Sequence, residues 1–250
     1  CALFSHAGLT FGGLLVGERE TFSTIFSIFS SLIDYVNNSS ISINRVVYKK
    51  LPAPYCSVPS DEDLYALSYN GFKLRNRDIS SFINLKKPLP YSKGRKWSVK
   101  KSHSLGLTLN RNQGLDDYWA LLSEVLSSRH NVLPTHSLDE IKYLKNLFPD
   151  NIELYTVSYN DTLLAGSLIY LTDSVVHTQY IACSDLGKEY FALDFLLDRL
   201  IRHYSSSHNY FSFGVSSENN KLGINSGLLS QKEGFGARAY SHDTYILDLD

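Results

Sequence analysis

The stretch His177–Leu196, "HTQYIACSDLGKEYFALDFL", changes its periodicity in the middle. Its first part has the alternating pattern of a strand, and its last part repeats apolar residues at helical spacing. A short polar turn that contains Gly187 joins the two parts. The first turn of a helix has N–H groups without partners and a partial positive charge, so it attracts anions. The stretch therefore predicts a strand and a helix, with a binding site beside the helix N-terminus.

The composition limits the classes of protein to which the chain can belong. Of its 250 residues, 43% are hydrophobic and 13% aromatic, which is enough for a packed core. The net charge of -1 argues against a general nucleic-acid-binding protein. The three cysteines are too scattered for a disulfide framework or a zinc site, so we expect a reducing compartment and no metal. No apolar run approaches the roughly 20 residues that span a bilayer.

Helix and strand patterns mix along the whole chain. The second half reads as two helices, three strands joined by turns at Asn160-Asp161 and Thr172-Asp173, the helix Gly187–Tyr204, a strand, a short helix and a closing strand. This mixture predicts an α+β fold with mixed α/β sheets, in two domains at residues 1–108 and 109–250. The chain has no methionine, and its first residues read as a strand within a domain. We therefore expect that an N-terminal segment is missing.

Three segments of the second half carry a family resemblance. "VVHTQYIACSDLGKEYFALDFLLDRLI", "YFSFGVSSENN" and "GLLSQKEGFGARAY" resemble the GNAT domain of Fem-like proteins, within the GNAT acyltransferase superfamily. "HAGLTFGGLLV" and "LPTHSLDEIKYLKNLFP" resemble upstream parts of the same relatives. The resemblance implies tandem GNAT-like domains: an incomplete first one with a basic helix, and a second one that transfers acyl groups. Many such relatives belong to bacterial cell-envelope and surface-polysaccharide pathways.

The resemblance also implies where an acyl donor binds. In GNAT folds the strand before the long helix splays from its neighbour, and an acyl-thioester lies in the wedge with its pyrophosphate at the helix N-terminus. Acetyl-CoA or another acyl-CoA would then contact five residues: Ile181, Ala182, Ser184, Gly187 and Lys188. The turn departs from the common Gln/Arg-x-x-Gly-x-Gly/Ala pattern, because Lys188 and Glu189 follow Gly187. Since Fem-type enzymes use aminoacyl-tRNA, that donor stays open as well.

The strand supplies the candidate catalytic residues. Strict alternation would place His177, Gln179 and Ile181 on one face and Tyr180 on the other. We predict that His177 is a base toward an amine and that Gln179 orients the acceptor. Tyr180 would donate a hydrogen bond or a proton to a leaving thiolate or a sugar hydroxyl. The alternative is that His177 is satisfied inside a polar crevice and that Tyr180 packs as an ordinary core residue.

Four further residues are candidates for substrate binding. His6 lies among Gly8, Gly12 and Gly13, which indicate that the backbone closely approaches another group. His136 precedes a helix that begins with a Ser137/Glu140 capping box, so it is either a binding residue or a neighbour of the cap. The "GVSSENN" segment is either a polar loop or part of the acceptor site, and its candidate residues are Ser216 and Asn219.

Between Asp78 and Asp116 the chain has no acidic residue. The same segment contains eight basic residues: Lys86, Lys87, Lys93, Arg95, Lys96, Lys100, Lys101 and Arg111. Two interpretations remain open. The segment is either a solvated helix face or a site for a phosphate-rich partner, such as a tRNA acceptor stem, a lipid pyrophosphate or an anionic membrane surface.

Three functions follow from these observations. The first is an N-acyltransferase, in which the amine of a sugar or cell-envelope precursor attacks acetyl-CoA directly, with backbone N–H groups near Tyr180–Ala182 stabilising the oxyanion. The second is an aminoacyl-tRNA-dependent transferase acting on a lipid-linked peptidoglycan precursor. The third is a non-catalytic GNAT-like binding module. For all three we expect a cytoplasmic location, with peripheral binding at the inner face of the membrane left open.

Overall fold

The computed structural model describes residues 1–217 and 223–249. The candidate residue Asn219 lies outside the described residues. The helices are α1 (Phe22–Asn38), α2 (Glu62–Tyr69), α3 (Lys93–Ser102), α4 (Leu115–His130), α5 (Leu138–Leu147), α6 (Asp185–Glu189), α7 (Ala192–Tyr204) and α8 (Ser226–Gly234). The strands are β1 (Ala2–Phe4), β2 (Arg45–Lys49), β3 (Lys73–Asn84), β4 (Thr108–Arg111), β5 (Ile152–Tyr159), β6 (Thr162–Leu171), β7 (Val175–Cys183), β8 (Tyr210–Val215) and β9 (Arg238–Asp248). The predicted mixture of helices and strands is confirmed.

The chain divides into two compact units that are not consecutive in sequence. The first unit contains residues 1–80, 215–223 and 239–250, and the second contains residues 81–214 and 224–238. The boundary between residues 108 and 109 that the sequence suggests follows the chain rather than this division, and it stays a prediction. Among the described residues, no helix combines the length and the apolar composition needed to cross a membrane.

In the first unit, helices cover strands in the order β1-β2-β9-β3. β1 is parallel to β2, and β2 is antiparallel to β9. The predicted amphipathic helix α1 buries Ile25 and Phe29 against Val46 of β2 and Leu67 of α2. Burying this apolar surface stabilises the unit, because each such side chain contributes about 1.5–3 kcal/mol.

In the second unit, strands run in the order β8-β7-β6-β5-β4. The strands from β4 to β7 are antiparallel, whereas β7 and β8 are parallel. Asn160 and Asp161 both have positive φ angles, of 44° and 61°, which suit the two-residue hairpin turn predicted between β5 and β6. Helices α4 and α5 pack on one face of these strands, with Tyr118, Leu122, Ile141, Leu154 and Leu168 in their core. α7 packs on the other face, with Val157, Ile169, Leu196, Leu200 and Phe211 in its core.

The helix that the sequence predicts over Gly187–Tyr204 is two helices. α6 ends at Glu189, Phe191 has a φ of 53°, and α7 begins at Ala192. A left-handed residue other than glycine costs about 1–2 kcal/mol, so the break needs a compensating interaction. The ring of Phe191 supplies one, since it lies 5.3 Å from the ring of Trp97 in an edge-to-face contact.

Candidate active site

A β-bulge at Gln179 sets the directions of the side chains on β7. Thr178 lies opposite Ile169 of β6 and Tyr180 lies opposite Leu168, so Gln179 is an extra residue without a partner position. His177, before the bulge, lies opposite Tyr170.

Residues directly opposite each other on paired strands point to the same face of the sheet. Leu168 and Tyr170 are two residues apart on β6 and share a face, so Tyr180 and His177 share that face as well. Thr178 and Ile181 point to the other face. This corrects the strict alternation expected from the sequence, which grouped His177 with Gln179 and Ile181.

β7 and β8 separate immediately after His177. Their parallel pairing covers Val175–His177 and Tyr210–Ser212 and no further residue that the structure describes. At the last paired position, Nδ1 of His177 lies 3.1 Å from Oγ of Ser212. Thr178 then donates its hydroxyl to the Ser212 carbonyl over 3.0 Å. The strands therefore have the splayed geometry that the GNAT resemblance implies.

A cavity of about 220 Å³ lies beside the separated part of β7. Its walls are mostly apolar and come from β7, β8, α4, α7 and α8: Ile181, Cys183, Phe213, Val125, Leu126, Leu193, Leu197, Leu228 and Phe235. A second cavity of about 280 Å³ shares Arg129, Cys183, Leu193 and Gln231 with the first, and it is also lined by Gly187 and Lys188. Ligand sites are typically concave and apolar with a few polar groups, and this pair of cavities has that character.

Lys232 of α8 places a buried ammonium group in the wall of the first cavity. Its side chain is only 4% exposed, and Nζ donates a hydrogen bond to the Gly214 carbonyl over 3.1 Å. Burial disfavours the charged form and lowers the pKa of Lys232 to about 8. Perturbed, buried ionisable groups in a cleft are candidates for function. Sequence reasoning missed this residue because "KEGFG" reads as a turn after a helix, and Gly236 indeed has a φ of 83°.

The polar groups of the turn before α6 form hydrogen bonds within the chain. Ser184 accepts the Gly187 N–H over 2.9 Å and donates its hydroxyl to the Leu164 carbonyl over 3.1 Å. A Cβ atom at Gly187 would overlap that carbonyl oxygen and the sulfur of Cys183. Gly187 therefore has a packing role in this structure, and its role in binding donor phosphates stays a prediction.

The two basic side chains near this turn form ion pairs with the same aspartate. Lys188 Nζ lies 2.8 Å from Oδ1 of Asp185, and Arg129 lies 3.0 Å from the same atom. Arg129 also donates to the Cys183 carbonyl over 3.2 Å. Ile181 lines the first cavity, whereas Ala182 belongs to the core beneath α4 and α5. Of the predicted donor-binding residues, the structure thus places Ile181, Gly187 and Lys188 at the cavities.

On the opposite face of β7, Tyr180 contacts His136. The Tyr180 hydroxyl lies 2.7 Å from Nδ1 of His136 and accepts the backbone N–H of His136 over 3.3 Å. The ring of Trp119 meets the Tyr180 ring edge to face at 5.4 Å. The fold therefore brings together two sequence candidates that are 44 residues apart.

The candidates His6 and Ser216 belong to the first unit. His6 is exposed, and its Nδ1 accepts the Leu9 N–H over 3.2 Å. The close approach that the neighbouring glycines predicted is to the chain itself, since a Cβ at Gly12 would lie 2.5 Å from Cβ of His6. Ser216 is buried, and its N–H donates to the Ile79 carbonyl over 3.0 Å. Over residues 1–217 and 223–249, no cluster of His, Cys, Asp and Glu could hold a metal ion.

Comparison with known proteins finds solved structures with a similar fold. The chain matches no protein-family model and no curated protein. The structure of FemX superposes with a TM-score of 0.68 at 13% identity, over 96% of this chain and 82% of FemX. L-PGS from Bacillus licheniformis superposes with a TM-score of 0.63 at 13% identity, over 92% of this chain and 74% of L-PGS. A conserved protein from Bacteroides thetaiotaomicron superposes with a TM-score of 0.60 at 10% identity, over 90% of this chain and 75% of that protein. At these identities the likeness concerns the fold alone, and it agrees with the predicted mixture of helices and strands in a mixed sheet.

The packing role of Gly187 can be tested by adding one methyl group. We expect Gly187→Ala to lower the free energy of unfolding by about 1–3 kcal/mol, because the Cβ overlaps a carbonyl oxygen and a buried sulfur. Gly94→Ala in α3 is the matched control, since its Cβ would meet open space and alanine favours a helix. Denaturant unfolding measures both variants. Equal stability of Gly187→Ala and the wild type would contradict the packing role.

The buried charge of Lys232 predicts a specific pH dependence. Since the folded pKa of about 8 lies below the unfolded value, the unfolded chain binds more protons and the wild type gains stability as the pH rises from about 8 to 10.5. Lys232→Met lacks this gain, which is about 3 kcal/mol. The difference in unfolding free energy between Lys232→Met and the wild type should therefore change across this range. Lys101→Met, at an exposed position of α3, serves as the control. A difference that is independent of pH would contradict the buried charge.

Proposed function

We propose that the second unit transfers an acyl group from an activated donor to an amine by direct attack. The acyl end of the donor enters the cavity beside the separated part of β7, and the acceptor approaches from the face that carries Tyr180 and His177. The observation that carries this proposal is the end of β7–β8 pairing at His177, next to a cavity whose wall contains Lys232.

The separation of the strands supports acyl transfer through its backbone. Beyond His177 the peptide groups of β7 that face β8 are not engaged in the pairing of these two strands. Backbone N–H groups fixed in this way can donate to the oxygen that becomes negative when an amine attacks a carbonyl. The ammonium of Lys232 adds a positive charge in an apolar setting, where it interacts more strongly than it would in water. Both groups stabilise the negatively charged oxygen of the transition state more than the uncharged carbonyl of the donor.

Acetyl-CoA or another acyl-CoA is the first candidate donor. Two contiguous cavities share Arg129; the first is mostly apolar and the second is also lined by Lys188, which suits a donor with an apolar arm and an anionic end. The acceptor in this proposal is an amino sugar or another cell-envelope precursor, and the chain works in the cytoplasm or at the inner face of the membrane.

A basic surface favours aminoacyl-tRNA as the second candidate donor. A cavity of about 400 Å³ on the second unit is lined by Arg111, Arg199, Arg202 and His203. Arg111 is paired with Glu153 and Arg202 with Asp198, while Arg199 takes part in no ion pair found among the described residues. Helix α3 packs against α7 and adds Lys93, Lys96, Lys100 and Lys101. Guanidinium groups bind phosphate well, so this surface suits an RNA backbone.

The names of two structural neighbours agree with the second candidate. FemX is an aminoacyl transferase and L-PGS is a lysylphosphatidylglycerol synthetase. Acetyl transfer and aminoacyl transfer are the first two functions that the sequence suggested. Both proceed by the same attack of an amine on an activated carbonyl. The third, a non-catalytic module, predicts no transfer with either donor.

An assay with both donors tests the proposal. The protein is mixed with acetyl-CoA or an aminoacylated tRNA and a panel of amino sugars and lipid-linked peptidoglycan precursors, and acylated product is measured. We expect transfer from one donor, with a loss of about a hundredfold or more in Lys232→Met, because removing one oxyanion-stabilising group costs this much. Lys101→Met is the control when the donor is acetyl-CoA, because Lys101 is exposed on α3 and lines neither cavity. No product from either donor would overturn the proposal.

The same assay distinguishes the donors. If the donor is aminoacyl-tRNA, Arg199→Glu should weaken binding and reduce its dependence on salt, because fewer phosphate contacts release fewer counterions. With acetyl-CoA as the donor, the same variant should retain the wild-type rate.

A further inference from the structure

Two hydrogen bonds join His136 and Tyr180. The backbone N–H of His136 donates to the Tyr180 oxygen, so the phenolic proton is available for a second bond. Nδ1 of His136 lies 2.7 Å from that oxygen, the distance of a good O–H···N hydrogen bond. In the imidazole tautomer that carries its proton on Nε2, Nδ1 accepts the phenolic proton of Tyr180. His136 is partly exposed, so this ring connects Tyr180 with solvent.

The other titratable groups around Tyr180 and His136 are not suited to transfer a proton in their place. Tyr118 of α4 and Tyr170 of β6 face Tyr180, and burial raises the pKa of Tyr170 to about 12 and that of Tyr118 further. Glu140 of α5 faces His136, but its carboxylate accepts the Ser137 N–H in the capping box, and this bond lowers its pKa. At neutral pH the phenols therefore stay neutral and the carboxylate stays ionised. Tyr180 and His136 are the two groups in this cluster that are linked by a hydrogen bond suited to proton transfer.

We propose that Tyr180 and His136 form a proton relay that deprotonates the acceptor amine, an inference that rests on the proposed acyl transfer. As the amine nitrogen forms its bond to the acyl carbon, its proton passes to the Tyr180 oxygen, while the Tyr180 proton passes to Nδ1 of His136. The imidazolium then releases its Nε2 proton to water. The bond from the acyl carbon to the sulfur of a thioester, or to the oxygen of an aminoacyl ester, breaks, and the leaving group takes a proton from solvent.

The fold supports this role through the bulge at Gln179. Without the extra residue, Tyr180 would point to the opposite face from His177. With it, Tyr180 and His177 share the acceptor face, and the loop before α5 places His136 on the phenol. His177 itself is held by Ser212, which suits a residue that orients the acceptor rather than one that receives its proton.

The alternative is that the hydrogen bond only fastens the loop before α5 to the sheet. His136→Asn separates the two roles, because the Asn side-chain oxygen replaces Nδ1 as an acceptor but cannot take up a proton at neutral pH. The relay predicts a loss of about a hundredfold in kcat for His136→Asn, with little change in the KM of the donor. It also predicts that the acidic limb of the pH–rate profile disappears. A fastening role predicts near-normal turnover and an unchanged profile.

Tyr180→Phe provides the second arm of the test. The relay predicts a similar loss, and it predicts that the double variant is no slower than either single variant, because residues that act as a unit are not additive. Tyr170→Phe is the matched control, since it removes a phenol from the same face that makes no hydrogen bond found among the described residues. Melting temperatures confirm that each variant is folded.

The outcomes of this experiment are distinct. Wild-type turnover together with a hundredfold loss in both variants supports the relay. Wild-type turnover with His136→Asn or Tyr180→Phe at the wild-type rate and profile overturns the relay and leaves the proposed function standing. The absence of transfer by the wild type overturns the proposed function, and the relay with it.

Discussion

One extra residue in β7, Gln179, determines which side chains reach each face of the second unit. A bulge bends a strand and increases its twist, and it reverses the alternation of all residues that follow. Here it brings Tyr180 to the face of His177 and turns Ile181 toward the apolar cavity. The pairing of β7 with β8 ends two residues before the bulge. Donor and acceptor sides of the proposed reaction therefore both depend on this one irregularity in the sheet.

The cavity beside β7 combines apolar walls with one buried ammonium group, which is costly for folding. Desolvation of Lys232 destabilises the folded chain at neutral pH, and an apolar residue of similar length would avoid this cost. Groups whose pKa values are shifted in clefts are frequently functional, because catalysis needs a charge where water is excluded. The hydrogen bond from Nζ of Lys232 to the Gly214 carbonyl fixes the ammonium group in the cavity wall. A charge that is already in place stabilises the transition state without reorganisation during the reaction.

Local patterns predicted most of the helices and strands, because they depend on neighbouring residues. The capping box of Ser137 and Glu140 is present, and Asn160-Asp161 forms its turn. The bulge at Gln179 was missed because it exists only in the pairing with β6, which a single strand does not reveal. The break at Phe191 was missed for a similar reason, since its ring contact is with Trp97, 94 positions earlier in the sequence. Lys232 could have been found from its helical spacing, four residues after Leu228 and three before Phe235.

The claim that the donor enters the cavity beside β7 is tested most directly by filling it. Leu228 lines the cavity from α8 and is 39% exposed, so Leu228→Trp adds volume there with little strain. Calorimetric titration with acetyl-CoA, and in parallel with an aminoacylated tRNA, compares this variant with the wild type and with Leu147→Trp, an exposed control on α5. We expect that one donor binds the wild type and Leu147→Trp equally and binds Leu228→Trp at least about tenfold more weakly, a difference of about 1.4 kcal/mol. Equal affinity of that donor for all three proteins would contradict it.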